Sequence, residues 1–126
     1  MPLRVLITSP WGERLGGAEE MLWLAVRNFD RSRLEPTVVF LGSGRFEREV
    51  AALGIETAVI DTQPLRRPLA TGRTVRQMAT LLHNRKPDIL LNWSAKTQLY
   101  GSVAAVASGL GDRVVWWQHT TPTGHW

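Results

Sequence analysis

The apolar residues of this chain alternate between two spacings, and this alternation limits the possible folds more than any other feature. Five short runs are nearly continuous in apolar side chains, as buried strands are. Between them, four segments place apolar residues every three or four positions, as one face of a helix does. Strands that alternate with helices predict a parallel sheet covered by helices. The predicted strands are residues 3–8, 37–41, 55–60, 88–92 and 113–117.

Turn residues predict where the helices begin and end. Gly54 follows the second helical pattern and is expected to stop it in a left-handed conformation. Residues 61–72 contain Pro64 and Pro68 and are predicted to form a loop before the third helix, which Pro87 ends. The fourth helix has a row of large apolar residues beside a row of small ones, which allow close packing on the sheet. The first row is Leu99, Val103, Val106 and Leu110, and the second is Gly101, Ala104, Ala105 and Ser108.

Right-handed crossovers join these elements into a doubly wound, Rossmann-like α/β sheet with the predicted strand order 3-2-1-4-5. In this topology the ligand crevice lies at the carboxyl ends of strands one and four, where the winding reverses. Several polar or flexible residues fall at that edge, which predicts a ligand site without naming the ligand. They are Ser9, Gly16, Gly17, Ser94, Lys96 and His119.

The glycine pair after the first strand is the most distinctive part of this edge. Gly16 and Gly17 precede a helix that opens with Glu19 and Glu20 in its first turn. Glycines at such a turn let a ligand approach backbone N–H groups that suit phosphate or sugar oxygens. A plain turn between strand and helix is the alternative for a lone glycine pair. Carboxylates in the first turn favour the positive end of the helix dipole.

Composition excludes several classes of function. The chain of 126 residues has no cysteine, so it has neither disulfides nor a thiolate nucleophile. Its net charge of +4 comes from arginines scattered among acids, whereas a nucleic-acid-binding face would cluster them. His119 and His125 have no carboxylate beside them, so we expect no metal site. The amino-terminal apolar run is too short for a signal peptide, and we expect a cytoplasmic protein.

Four segments carry a resemblance to a known family. They are the strand at residues 4–8, Gly-Gly-Ala-Glu at 16–19, Lys-Pro-Asp-Ile at 86–89 and the strand that leads to His119. In this order they resemble the amino-terminal domain of family 4 glycosyltransferases, which have the two-domain GT-B fold. The resemblance covers essentially the whole chain, and the glycine segment is its most specific element.

The resemblance implies roles for individual residues. In that family the amino-terminal domain binds the acceptor, the carboxyl-terminal domain binds a nucleotide sugar, and transfer with retention occurs between them. Gly16 and Gly17 are then expected to face the donor diphosphate and the acceptor. His119 is the catalytic candidate near the transferred sugar, with a structural histidine as the alternative. Ser94 and Lys96 are candidates for binding the acceptor, although a solvated Lys96 is equally compatible.

The resemblance also implies partners. They are a nucleotide sugar and a sugar or lipid-linked acceptor, with no cofactor and no nucleic acid, and peripheral contact with a membrane stays open. The tryptophans near the carboxyl edge are expected to pack in the core or between domains, with stacking on sugar rings as the alternative.

The sequence departs from the family pattern in two ways. No two acidic residues have seven residues between them, the spacing of the glutamate pair in the family's donor-binding half. Asn92-Trp93-Ser94 replaces the histidine-rich end that strand four often has, which leaves the class of acceptor undecided. We therefore expect residues 1–126 to be a partial amino-terminal domain, without the donor-binding domain and inactive as a transferase by itself. A non-catalytic domain that binds a ligand or partner is the alternative.

Overall fold

The computed structural model describes residues 2–14, 16–61 and 68–117, which form five strands and four α-helices. A short 3-10 turn, Gly111–Arg113, precedes the last strand. In chain order the elements are β1 (Leu3–Ser9), α1 (Gly17–Asn28), β2 (Leu34–Phe40), α2 (Arg45–Ala52), β3 (Glu56–Val59), α3 (Pro68–Arg85), β4 (Ile89–Asn92), α4 (Ala95–Ala107) and β5 (Val114–Trp116).

The five strands form one parallel sheet in the order β3-β2-β1-β4-β5, which confirms the predicted fold class and strand order. β1 is the central strand, and all its residues from Val5 to Ser9 are buried. The carboxyl ends of β2 and β4 lie level with that of β1, since Thr8 of β1 pairs with Val39 of β2 and with Asn92 of β4. The carboxyl ends of β1 and β4 therefore lie side by side, as the prediction for the crevice requires.

Two apolar cores cover the two faces of the sheet. Because side chains of a strand alternate between faces, Ile7 of β1 packs with α1 and α2, whereas Leu6 packs with α3 and α4. The helical residues of the first core are Leu22, Val26, Phe46 and Val50, and those of the second are Met78, Leu82, Tyr100, Ala104 and Ala105.

The predicted helix ends are right in one place and wrong in another. Gly54 follows α2 with a φ of +79°, the left-handed conformation expected of it. The loop predicted for residues 61–72 is too long, because α3 already begins at Pro68 and includes Gly72. Proline suits the first position of a helix, where its missing N–H would have no partner within the helix. Residues 62–67 lie outside the described part.

α4 packs on the sheet through its small residues, as predicted. Ala104 and Ala105 are fully buried, together with Tyr100. Three residues of the large apolar row point the other way, since Leu99, Val103 and Val106 are 50%, 51% and 72% exposed. Leu110, beyond the end of α4, packs against the second core. Small side chains let the helix approach the sheet closely, so the larger ones are excluded from this contact.

Candidate functional site

Two helices begin where the winding of the sheet reverses. α1 starts at Gly17, after the loop that leaves β1, and α4 starts at Ala95, directly after β4 and the Trp93-Ser94 pair. Since β1 and β4 are neighbours in the sheet, both helix starts follow adjacent strand ends. Gly16, Gly17 and Ser94 are therefore at the edge where the sequence placed them. The side chain of Lys96 and all of His119 lie outside the described residues.

Buried polar side chains join β1, β4 and α4 below this edge. The Thr8 hydroxyl donates to Oδ1 of Asn92 at 2.8 Å, and Nδ2 of Asn92 donates to Oε1 of Gln98 at 2.9 Å. Thr8 and Asn92 are both fully buried, and these bonds compensate for their loss of water. Gly101 makes room for the network, because a Cβ there would lie 2.3 Å from Asn92 Oδ1.

The loop after β1 crosses the loop after β2 at two glycines, and sequence reasoning missed this contact. A Cβ on Gly12 would lie 2.3 Å from the carbonyl carbon of Ser43, and one on Gly44 would lie 2.3 Å from the Gly12 oxygen. The crossing also caps α2. The Gly12 oxygen accepts from the amide of Phe46 at 2.8 Å, and Oε1 of Glu13 accepts from the amide of Arg45 at 2.9 Å. The chain itself therefore occupies the N-terminus of α2.

The N-terminus of α1 is different. Gly16 is its N-cap residue and provides no side-chain cap. The Gly16 oxygen accepts from the amide of Glu20 at 3.2 Å, but no described residue accepts from the amides of Gly17 and Ala18. A Cβ on Gly17 would have no atom within 4 Å. This helix start is open to a ligand, in contrast to that of α2.

Ser94 caps its own helix. Its hydroxyl accepts from the amide of Thr97 at 3.3 Å, and the Thr97 hydroxyl accepts from the amide of Ser94 at 3.0 Å, which completes a capping box. The described contacts of Ser94 thus give it a structural role, and its predicted role in binding the acceptor stays a prediction.

Replacing Ser94 by alanine is expected to lower the free energy of unfolding by about 1 kcal/mol, because the first turn of α4 loses its cap. Urea denaturation followed by tryptophan fluorescence measures this change. Ser43→Ala is the matched control at the same edge, since Ser43 is exposed in its loop, and its effect should stay below about 0.5 kcal/mol. Equal stability of the two variants would contradict the capping assignment.

Trp93 connects the loop after β4 to α1. It is 2% exposed, and its indole N–H donates to the Ala18 carbonyl at 2.7 Å. Its ring lies against that of Trp117, with 4.8 Å between the centroids, and Trp117 is 45% exposed. The prediction of core packing is therefore correct for Trp93, while Trp117 presents indole surface at the carboxyl end of β5.

Charged residues surround the glycine loop. Arg14 lies 3.0 Å from Glu49 and 3.6 Å from Glu20, and Arg45 also reaches Glu49 at 3.5 Å. Glu13 accepts from the amide of Arg45, as described above. Glu19 is buried at 6% exposure, and its carboxylate has no hydrogen bond or ion pair with the described residues.

Away from this edge, the described part holds a cavity but no group of metal ligands. No group of three or more histidines, aspartates or glutamates there could hold a metal ion, and none of its helices has the length and apolar character to cross a bilayer. A cavity of about 580 Å³ lies between β3 and α3, lined by Asp61, Arg73 and Thr74 among others. It includes none of the predicted site residues, so we place the candidate site where the open helix start and the buried polar groups meet.

The fold defines a class of protein, a Rossmann-like α/β domain whose winding reverses between β1 and β4. The sequence model of Glycosyltransferase Family 4 matches residues 15–126. The chain belongs to that family, which confirms the resemblance drawn from the glycine segment. No curated protein matches the sequence significantly.

Solved structures share the fold. The Anabaena HepE protein in complex with UDP and glucose superposes with a TM-score of 0.64 and 22% identity over 85% of this chain and 28% of its own. The apo lipopolysaccharide outer core galactosyltransferase WaaB superposes with a TM-score of 0.75 and 18% identity, over 93% of this chain and 33% of the WaaB chain. S. aureus MnaA with UDP superposes with a TM-score of 0.58 and 21% identity, over 94% of this chain and 30% of the MnaA chain. The chain thus spans about a third of the length of these proteins.

Proposed function

We propose that this chain is the amino-terminal, acceptor-side domain of a retaining glycosyltransferase that moves a sugar from a nucleotide-sugar donor to a glycan, lipid or small-molecule acceptor. The family match, together with the open start of α1 at the switch point, carries the proposal. The donor-binding domain supplies the other half of the cleft. Residues 1–126 alone are expected to be inactive, because half of the groups that position the substrates would be missing.

The chemistry of transfer suits the glycine loop. When the bond between sugar and phosphate breaks, charge develops on the nucleoside diphosphate, and fixed backbone N–H groups stabilise charge without reorganising. The amides of Gly17 and Ala18 have no acceptor among the described residues, and Gly16 and Gly17 allow the donor to approach closely. HepE was solved with UDP and glucose, and MnaA with UDP, which supports a nucleotide sugar as the substrate.

His119 and Lys96 complete the proposed site. His119 falls within the residues that the family model matches, and we assign it to a hydroxyl or the reacting centre of the transferred sugar. An imidazole near neutral pH can donate or accept a proton there. Lys96 lies in the first turn of α4 and is assigned to an anionic group of the acceptor.

The test is a panel of nucleotide sugars offered to the full-length protein: UDP-glucose, UDP-galactose, UDP-N-acetylglucosamine and GDP-mannose. We expect one of them to release its nucleoside diphosphate, and NMR of the product should show the anomeric configuration retained. His119→Ala should lower the rate at least about tenfold, because a hydrogen bond to the transferred sugar is lost. His125→Ala is the control and should stay near the wild-type rate.

A different result would select the alternative. Without release of any nucleoside diphosphate, but with binding of a ligand at the same edge, the chain would be a non-catalytic binding domain on a shared fold. Inverted product configuration would reject retention while keeping the transferase.

A further inference from the structure

A chain of three polar side chains runs from the centre of the sheet to the surface of α4. The Thr8 hydroxyl donates to Oδ1 of Asn92, and Nδ2 of Asn92 donates to Oε1 of Gln98. Thr8 and Asn92 are fully buried, whereas Gln98 is only partly buried. The chain of hydrogen bonds therefore begins away from water and ends near the carboxyl end of β4.

The Thr8 hydroxyl sets the direction of these hydrogen bonds. A hydroxyl has one proton, and Oδ1 of Asn92 is the acceptor that the described residues provide for it. A buried hydroxyl whose proton has no acceptor is unfavourable, so the Asn92 amide keeps its oxygen towards β1 and its nitrogen towards α4. Oε1 of Gln98 then faces inward to accept from that nitrogen, and Nε2 of Gln98 faces outward.

Packing around Asn92 holds this arrangement in place. A Cβ on Gly101 would lie 2.3 Å from Oδ1 and 2.9 Å from Nδ2 of Asn92, so α4 lies directly against the amide. The backbone oxygen of Asn92 also accepts from the amide of Trp117 at 3.0 Å, beside the end of β5. Asn92 is thus fixed between β1, α4 and the end of β5.

Nε2 of Gln98 is a donor for which the protein provides no acceptor. No described residue accepts from it, and it is not one of the unpartnered polar atoms that are sealed from solvent. The outward end of this side chain offers two N–H groups and no oxygen. An oxygen without a proton of its own, as in a carboxylate or a phosphate, matches this end better than a hydroxyl, and its charge strengthens the hydrogen bond.

We propose that Gln98 binds an anionic oxygen of the acceptor, a carboxylate or a phosphate, and that Thr8 and Asn92 position its amide. The inference rests on the proposed function and deepens it. The donor diphosphate is assigned to the start of α1, and α1 and α4 cover opposite faces of the sheet, so the two substrates meet this edge from two sides. The first turn of α4 contains Lys96 and no acidic residue, so it does not repel an anion.

The experiment replaces the outward nitrogen alone. Gln98→Glu keeps an oxygen for Asn92 and exchanges Nε2 for a second oxygen that carries negative charge. Gln77→Glu is the matched control, because it makes the same change at an exposed glutamine of α3 that lines the separate cavity. Isothermal titration calorimetry measures the binding of glucose, glucuronic acid and glucose 6-phosphate to the full-length protein, in the presence of the nucleoside diphosphate released in the donor panel.

We expect the wild type to bind glucuronic acid or glucose 6-phosphate at least about tenfold more tightly than glucose. Tighter binding of glucuronic acid assigns the contact to a carboxylate, and tighter binding of glucose 6-phosphate assigns it to a phosphate. Gln98→Glu should remove the preference, because its charge repels the anion, while the affinity for the nucleoside diphosphate stays within about threefold. Gln77→Glu should keep all of these affinities within about twofold of the wild type, because solvent screens its charge.

Thr8→Val and Thr8→Ser test the positioning. Valine removes the hydroxyl proton, so the Asn92 amide can take either orientation, and fewer molecules present Nε2 of Gln98 outward. We expect the anion to bind about threefold more weakly to this variant. Serine keeps the proton and should keep the wild-type affinity. A role in packing alone predicts the opposite order, since valine keeps both branches of threonine and serine does not.

An unchanged preference in Gln98→Glu, or equal binding of the three sugars by a wild type that releases a nucleoside diphosphate, would overturn this inference alone. If Gln98→Glu does not fold, Gln98→Met removes the donor without adding charge and should lose the same preference. A wild type that neither binds nor turns over any nucleotide sugar would overturn the proposed function, and this inference with it.

Discussion

Gly17→Val is expected to leave the domain folded while it lowers sugar transfer by at least about 100-fold. A Cβ on Gly17 meets no atom within 4 Å, so we expect valine to project into the space in front of the glycine loop and the domain to fold. Two methyl groups there would keep the substrate away from the amides of α1. Steady-state rates and circular dichroism of the full-length protein measure the two parts of this expectation.

Gly42→Val is the matched control for this experiment. Gly42 lies at the same edge of the sheet, after β2, and a Cβ there also meets no atom within 4 Å. It should retain activity within about threefold of wild type, in line with substitutions away from a site. Equal losses in both variants would mean that the whole edge, and not the start of α1, is sensitive to added bulk. Normal turnover by folded Gly17→Val would reject the assignment of the glycine loop.

Gly12→Ala is expected to lower the free energy of unfolding by about 3 kcal/mol, the largest effect on stability among these variants. The new Cβ would lie 2.3 Å from the Ser43 carbonyl carbon and 2.5 Å from the Gly44 nitrogen, which are backbone atoms with little freedom to move. Separating the two loops would also withdraw the Gly12 oxygen from the amide of Phe46. Urea denaturation followed by tryptophan fluorescence gives the change.

Gly42→Ala adds the same methyl group to the neighbouring loop in open space and should change stability by less than about 1 kcal/mol. A small effect of Gly12→Ala would show that the loops can separate without loss, and that the cap on α2 comes from elsewhere. A large effect confined to Gly12 would confirm that close backbone approach is the reason for glycine there.

The edge of the sheet where the predicted site residues lie could be predicted from the sequence, but the contacts within this candidate site could not. Ser9, Gly16, Gly17 and Ser94 are found at the carboxyl edge because strand order alone brings those chain segments together. The contacts between residues that are distant in the sequence could not be predicted. Gly12 touches Ser43 and Gly44 across two loops, and Trp93 reaches Ala18 across 75 positions of sequence. No local sequence pattern predicts these contacts, because each residue by itself has the features of an ordinary loop or core residue.

In the third and fourth helices, too, some features could be predicted from the sequence and others depend on the fold. Proline usually breaks helices, which predicts a loop at Pro68, but Pro68 opens α3, where its missing N–H would have no partner within the helix. On α4 the spacing identified two rows correctly, and the small residues do pack on the sheet. The exposure of Leu99, Val103 and Val106 depends on how closely the helix approaches the sheet.

The sequence by itself determined the order of strands and helices, the parallel sheet, its strand order and the edge that brings the predicted site residues together. These follow from periodicity and from the handedness of crossovers, which act on short stretches of chain. The tertiary structure alone decided which helix start remains open. α2 is capped by the Gly12 oxygen and the Glu13 carboxylate, whereas the amides of Gly17 and Ala18 in α1 have no acceptor among the described residues. That difference arises from contacts between segments that are distant in the sequence, and these segments meet only in the folded sheet.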